Sequence, residues 1–220
     1  MTTQKRQLTR EIIYNKLSED IVYCRLKPGQ RLIEDDLTNL LNVSRTPLRE
    51  ALGQLRSEGF VEYLPNKGVR VASLSVKEVF EIYSVRAVLE GYAAKLAAEN
   101  ANPENLRKLR NIHKQMEEHG QKRDFPGLLK DNRDFHGFIA EMSGNQTLSN
   151  TIDQLQRRVY RYGLLSISIP QHITFYIDIH KNIVKAISDK DSRNAGKIME
   201  EHLLKARDNL IDFLERYPGF

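Results

Sequence analysis

A chain of 220 residues with 40% hydrophobic and 29% charged residues can bury one large core or two modest ones, and this balance excludes a disordered or fibrous protein. The formal net charge of +5 is spread thinly: residues 1–72 hold 12 Lys+Arg against 9 Asp+Glu, and residues 73–220 hold 22 against 20, so charge permits a nucleic-acid partner without demonstrating one. A lone cysteine, Cys24, rules out an intrachain disulfide, no apolar stretch approaches the ~18–20 residues of a membrane span, and the polar, basic start from Met1 to Arg10 is unlike a secretory signal, so the expected compartment is the cytoplasm.

Leu8, Ile12, Ile13, Leu17, Ile21 and Val22 recur at helical spacing and predict a first amphipathic helix from Leu8 to Val22. Pro28-Gly29 then turns the chain. A short second helix is predicted over Ile33 to Leu41, with Glu34, Asp35 and Asp36 in its first turn, where the helix dipole favours anions, and Asn42 at its stop. Ser44 suits the N-cap of a third helix from Arg45 to Glu58, Pro47 suits its first turn, and Gly59 closes it. Phe60 to Leu64 and Val69 to Ala72 are β-like runs around the turn signature Pro65-Asn66-Lys67-Gly68, hence a hairpin. Three helices and a hairpin predict a winged helix-turn-helix over residues 1–74.

After Ser73 helical periodicity runs to the end with almost no strand signal. Helices are predicted at about 76–100, 103–121, 125–143, 146–168, 171–188 and 191–216. The breaks fall at Asn102-Pro103, Asp124 to Gly127, Gly144-Asn145, Pro170 and Asp189 to Asp191. Six helices with short connections predict an antiparallel all-α bundle over 75–220, so the fold class is mainly α.

The second and third predicted helices, joined by Leu41 to Ser44, have the spacing that sets a second helix into a DNA major groove. Its leading residues are Ser44, Arg45, Thr46 and Arg49. Arg45 and Arg49 are one turn apart on one face, and guanidinium suits bidentate contact with guanine or phosphate. Ala51, Leu52, Leu55 and Phe60 form the inward face and leave both arginines outward. A solvated helix face with two ordinary arginines has the same spacing. Lys67 and Gly68 at the hairpin tip are further candidates for contact with the backbone or minor groove.

Three histidines lie on the apolar sides of their predicted helices. His180 is flanked by Tyr176, Ile177, Ile183 and Val184, His202 by Ile198, Met199 and Ala206, and His136 by Ile139 and Ala140, with Asn132 one turn earlier. His180 and His202 belong to adjacent antiparallel helices and their side chains can meet. Three imidazoles with one oxygen donor suit zinc, nickel or another borderline divalent ion, although three separate core histidines with hydrogen-bond partners fit the same pattern. Arg86, flanked by Ile82, Tyr83 and Leu89, is a further inward polar residue. It can pair with Glu90, in the weaker orientation for a helix pair, or receive a carboxylate ligand by bidentate bonding. Arg157 and Arg161 either line a cavity or lie on a solvated face, the latter being the reading for Arg157. A metal with an open position could also serve an enzyme, but no H-E-x-x-H pattern occurs and no carboxylate is placed as a general base, so an enzyme is not expected.

Leu26-Lys27-Pro28-Gly29-Gln30-Arg31-Leu32, then Val43-Ser44-Arg45-Thr46-Pro47-Leu48-Arg49-Glu50-Ala51-Leu52, then Leu55 and Glu58-Gly59-Phe60, resemble the GntR family of regulators. The resemblance implies that Ser44, Arg45, Thr46 and Arg49 face operator DNA and that Lys67-Gly68 is the basic wing tip. Asp35 stands where the fatty-acid-responsive member has a DNA-contacting arginine, so that contact does not carry over.

Val85-Arg86-x-x-Leu89-Glu90, Asn132-Arg133-Asp134-Phe135-His136, Gly144-Asn145, His180 to Ile187 and Asp191 to Leu203 resemble the FCD effector domain of the fatty-acid-responsive GntR branch, in its six-helix form. Many such domains hold a divalent metal with an Asp or Asn and three histidines, which map here to Asn132, His136, His180 and His202. Asn132 in place of Asp is a weaker donor, and His113, His119 and His172 match no ligand position. The two resemblances together imply a homodimeric regulator on double-stranded operator DNA, a repressor by the commoner outcome in the family and an activator by the other. Its effector would be a small organic acid, bound near a zinc or nickel ion with Arg86 and Arg161 as effector-binding residues, and its linker around Ala72 to Val76 would carry the signal.

Overall fold

The structure, a computed structural model, describes residues 3–64, 68–73, 75–168 and 172–216. Its contacts divide the chain into two units, one within Met1–Leu74 and one spanning Ser75–Arg216.

In the first unit, α1 (Thr3–Val22) presents Ile13, Leu17, Ile21 and Val22 to Leu48, Ala51, Leu52 and Leu55 of α3 (Arg45–Ser57), all of them buried. Helix α2 (Glu34–Leu41) lies between them in sequence and ends as its last residue predicts: Asn42 adopts the left-handed conformation at φ 50°, which Asn tolerates better than most residues. Helix α3 starts from Ser44 in extended conformation, but the expected hydroxyl cap is not formed. The reason is local: Pro47 occupies the third helical position, whose N–H is the usual target of an N-cap oxygen, and proline has none. Gly59, at φ +78°, turns the chain out of α3.

The wing is a three-stranded antiparallel sheet in the order β1 (Arg31–Leu32), β3 (Gly68–Val71), β2 (Val61–Leu64). Val61 faces Val71 and Tyr63 faces Val69 across the hairpin, while Leu32 pairs with Val69 on the other side. Strand β1 was not expected. Two residues carry no period-2 pattern, and the strand exists because β3 offers its free edge, extended by the Gly29 amide to the Val71 carbonyl (3.0 Å) and the Val71 amide to the Gln30 carbonyl (2.9 Å). The turn predicted at Pro65 to Lys67 lies outside the described residues.

The second unit is a helical bundle built around α4 (Val76–Glu99), which touches α6 (Phe125–Met142), α7 (Gln146–Ser168), α8 (His172–Ser188) and α9 (Ser192–Arg216); α5 (Pro103–Lys122) packs on α6 and α8. Side chains cap most of these helices at the predicted breaks. Asn102 accepts from the Asn105 amide at 2.9 Å, Asp124 from Gly127 at 3.1 Å, Asn145 from Leu148 at 3.1 Å and Asp191 from Asn194 at 3.1 Å. The break predicted at Pro170 lies outside the described residues. Helices α4 and α9 come together through two glycines: a Cβ on Gly91 would lie 3.2 Å from the Gly196 carbonyl oxygen, and one on Gly196 would lie 3.0 Å from the Gly91 carbonyl oxygen. Ala93, Ala94, Ala97 and Ala98 keep the rest of α4 slim. Helix α4 also packs on α6, which sets Glu90 beside His136.

Candidate functional site

In the first unit the α3 arginines are exposed, Arg45 at 64% and Arg49 at 63% of the side chain. They are not free, as the expectation of available side chains would have it. Arg45 Nη2 donates to Asp35 Oδ1 and Arg49 Nε to Glu34 Oε2, each at 2.8 Å. The acidic first turn of α2 therefore lies beside the leading face of α3, an arrangement that two helices meeting across a tight turn create and sequence spacing does not report. Ser44, Thr46 and Gly68 are exposed around the same unit. Lys67 lies outside the described residues.

In the second unit α6, α8 and α9 bring His136, His180 and His202 together. All three are buried, and they offer ring nitrogens within 4.8 Å of one another. His136 Nε2 lies 3.3 Å from His180 Nε2. The His136 and His202 rings stack at 5.4 Å between centroids, His180 meets His202 edge-on at 4.6 Å, and Phe135 closes the apolar side at 4.7 Å from His180. The Nδ1 atom of His202 is buried without a hydrogen-bond partner. Burial, followed by the neighbouring imidazoles, pushes His180 well below the usual histidine range; burial and then His136 push His202 down to about 3. Both rings are thus neutral near pH 7, the form that ligates metal.

Beneath His136 runs a buried polar chain. His136 Nδ1 lies 2.7 Å from Glu90 Oε2, and Arg86 Nε donates to Glu90 Oε1 at 2.7 Å. Burial would raise the Glu90 carboxyl, but the Arg86 guanidinium and then His136 outweigh it and hold the group at about 2. The Arg86–Glu90 pair forms although its orientation is the weaker one on a helix surface. That preference reflects the helix dipole in solvent, whereas here both partners are buried, at 6% and 1% exposure, and neither can be left uncompensated.

Arg86, Asn132, His136, Gln156 and Tyr160 line a small cavity of about 40 Å3 between α4, α6 and α7. Asn132 is half-buried there, beside His136. Gln156 is 6% exposed and its Nε2 has no partner. On its other side, His202 borders an open groove of about 530 Å3 between α8 and α9, with Asn182, Lys185, Glu201 and Lys205. Arg157 pairs with Asp153 within α7 at 2.7 Å, on the exposed face expected of it. The side chain of Arg161 lies outside the described part of the chain. Asp131 pairs with His119 at 2.6 Å and His113 bonds the Ile177 carbonyl at 3.1 Å, so none of the three joins the histidine cluster. Sequence reasoning missed Glu90 as the partner of His136 and missed Gln156 altogether. Gln156 does carry a signal, since Ile152 and Val159 flank it one turn away on the buried side.

A winged helix-turn-helix followed by an all-helical unit defines a DNA-binding regulator, and the comparisons agree. The chain matches the FCD domain over residues 81–205 and the bacterial regulatory proteins of the gntR family over residues 9–71. It belongs to the GntR family, in the group carrying an FCD domain, and is a DNA-binding transcriptional regulator rather than an enzyme. It is 29% identical to the Nta operon transcriptional regulator of Aminobacter aminovorans, over 86% of this chain and 88% of that protein. With the HTH-type transcriptional repressor RspR of Escherichia coli it shares 30% identity, over 90% of this chain and 86% of the relative. The solved structure of E. coli McbR/YncC superposes with a TM-score of 0.77 at 27% identity, covering 93% of this chain and 98% of that one. Among the described residues no helix is long and apolar enough to cross a membrane.

Proposed function

We propose that this regulator is a cytoplasmic repressor that binds double-stranded operator DNA as a homodimer and is controlled by a small carboxylate bound near a divalent metal, zinc or nickel. The observation that carries the reading is the set of three buried histidines. Their ring nitrogens converge, the His202 Nδ1 is buried with no partner, and burial keeps the His180 and His202 rings neutral. Three buried imidazoles whose nitrogens converge in this way match the donors that a borderline divalent ion takes. His136, His180 and His202 would hold the ion, with Asn132 as the oxygen donor from one turn before His136. The bound ion would supply positive charge beside the cavity and so favour an anionic effector.

Ser44, Arg45, Thr46 and Arg49, with Lys67 and Gly68 of the wing, are the DNA-contacting residues in this reading. Arg86 lines the small cavity and, with Arg161, supplies the cationic side chains for a carboxylate, while the Gln156 amide adds a donor that lacks a partner. At about 40 Å3 the cavity holds at most a few water-sized groups, so an effector must be small or must part α4, α6 and α7. A change of that kind gives the ligand different affinities for two helix arrangements, which is what regulation requires. Homodimer formation is supported by Val85, Val88 and Tyr92, a stripe on one face of α4 that stays 49%, 63% and 50% exposed.

The test is metal analysis of the full-length protein, then chelation and re-addition of Zn2+ or Ni2+. Footprinting on a duplex selected from a random library follows, with and without small carboxylates. Stoichiometric metal and a carboxylate-dependent loss of footprint are expected. A protein that takes up no metal and whose footprint ignores every carboxylate refutes the proposal.

A further inference from the structure

The two oxygens of Glu90 are divided between two partners, and this division bears on how the histidine cluster is prepared. Oε1 accepts from Arg86 Nε and Oε2 lies 2.7 Å from His136 Nδ1, all within a region 5% exposed or less at Arg86, Glu90 and His136. An ionised carboxylate can only accept, so the hydrogen on this contact belongs to Nδ1. With the hydrogen on Nδ1, Nε2 is the ring nitrogen left to offer a lone pair, and it faces His180 Nε2 at 3.3 Å. The other ring contacts of His136 are with the edge of Phe135 and with the two histidine rings.

We infer that Glu90 is a positioning residue for the metal centre: by accepting the Nδ1 hydrogen of His136 it selects the tautomer whose Nε2 lone pair points at the ion, and the Arg86 hydrogen bond to its other oxygen holds Glu90 in place for this task. The inference deepens the metal reading above and rests on it. It follows the general behaviour of metal-bound histidine, whose outer nitrogen donates to a carboxylate that fixes ring orientation and raises ligand basicity. It also explains why an ionised carboxylate is kept at the centre of a helical bundle 46 residues away in sequence from the ring it serves. A purely structural ion pair between Arg86 and Glu90 would need no histidine on its second oxygen.

The measurement begins with the full-length wild type, labelled with 15N and stripped of metal, in which long-range 1H–15N spectra report the tautomer of each histidine. His136 should carry its hydrogen on Nδ1, with Nε2 unprotonated; a hydrogen on Nε2 would overturn the inference without any variant being made. Glu90→Gln should mix or reverse that tautomer and weaken Zn2+ binding about 10- to 100-fold in competition with a chromophoric chelator. Because Glu90→Gln leaves Arg86 buried without its counter-ion, the double variant Arg86→Met with Glu90→Met removes the charge pair together, a change that buried pairs often tolerate. This variant should fold, shown by unchanged helix content, and still bind Zn2+ about 10- to 100-fold more weakly. A folded variant with wild-type Zn2+ affinity and an unchanged His136 tautomer overturns the assignment. Failure of the wild type to take up Zn2+ sinks the metal reading instead, and the tautomer spectra, recorded without metal, still decide whether Glu90 sets the ring.

Discussion

Lowering the pH from 7 to 5 should weaken the helical unit even with no metal present. His202 is buried as a neutral ring, held down to about 3 from the ordinary 6.5 by burial and then by His136; in the unfolded chain it takes up its proton near 6.5. Between those values the unfolded state binds more protons than the folded state, so stability is complete above pH 6.5 and declines as the pH falls toward 3. At about 1.4 kcal/mol per pH unit, His202 alone removes roughly 2 kcal/mol by pH 5, and on the order of 5 kcal/mol by pH 3. His180, depressed by the same burial and by its neighbouring rings, acts in the same direction. Urea unfolding of the chelated full-length protein, followed by circular dichroism at pH 7, 6 and 5, measures the slope. His202→Gln removes one titrating ring and should flatten it. A stability that does not change between pH 7 and 5, or a His202→Gln variant with the wild-type slope, would show that the histidines are not buried neutral and would refute the account of the cluster.

Replacing Arg45 and Arg49 together by alanine should abolish footprints on a selected duplex while leaving the helix content unchanged, whereas Asp35→Ala, which releases Arg45 from its 2.8 Å ion pair, should tighten binding to a random duplex by roughly two- to fivefold, the scale of an exposed pair. Fluorescence anisotropy at low salt reads both, and an Asp35→Ala protein with unaltered affinity would place Arg45 away from the DNA. Tyr162→Phe deletes the hydroxyl that donates to Glu78 at 2.9 Å and accepts from the Ser75 amide at 3.2 Å. The loss should cost about 0.5–1.5 kcal/mol, seen as a lower Tm, and no change in Tm would mean that this hydroxyl does not tie α7 to the first turn of α4. Gly196→Val puts a branched side chain where a Cβ already meets the Gly91 carbonyl oxygen at 3.0 Å. It should cost about 1–3 kcal/mol by parting α4 from α9, and a wild-type Tm would contradict their close approach.

Local chemistry made much of the architecture legible in the sequence. Asn102-Pro103, Asp124, Asn145 and Asp191 end or cap helices by interactions within a few residues, and the predicted helices of the second unit fall within a residue or two of those observed. The inward side of each helix was equally readable, because period 3.6 alone puts His136, His180 and His202 among apolar neighbours. What only tertiary structure decided are meetings between elements far apart in the chain. Strand β1 exists because β3 had an edge to offer, Arg45 and Arg49 are engaged because α2 folds its acidic turn against them, and Glu90 belongs to His136 because α4 packs against α6. Even the missing Ser44 cap follows this division, since it was decided by a neighbour three residues away and could have been read from Pro47. Propensity and periodicity act along the chain and leave their mark in it. Which faces touch depends on how the whole set of helices packs, and no single segment records that.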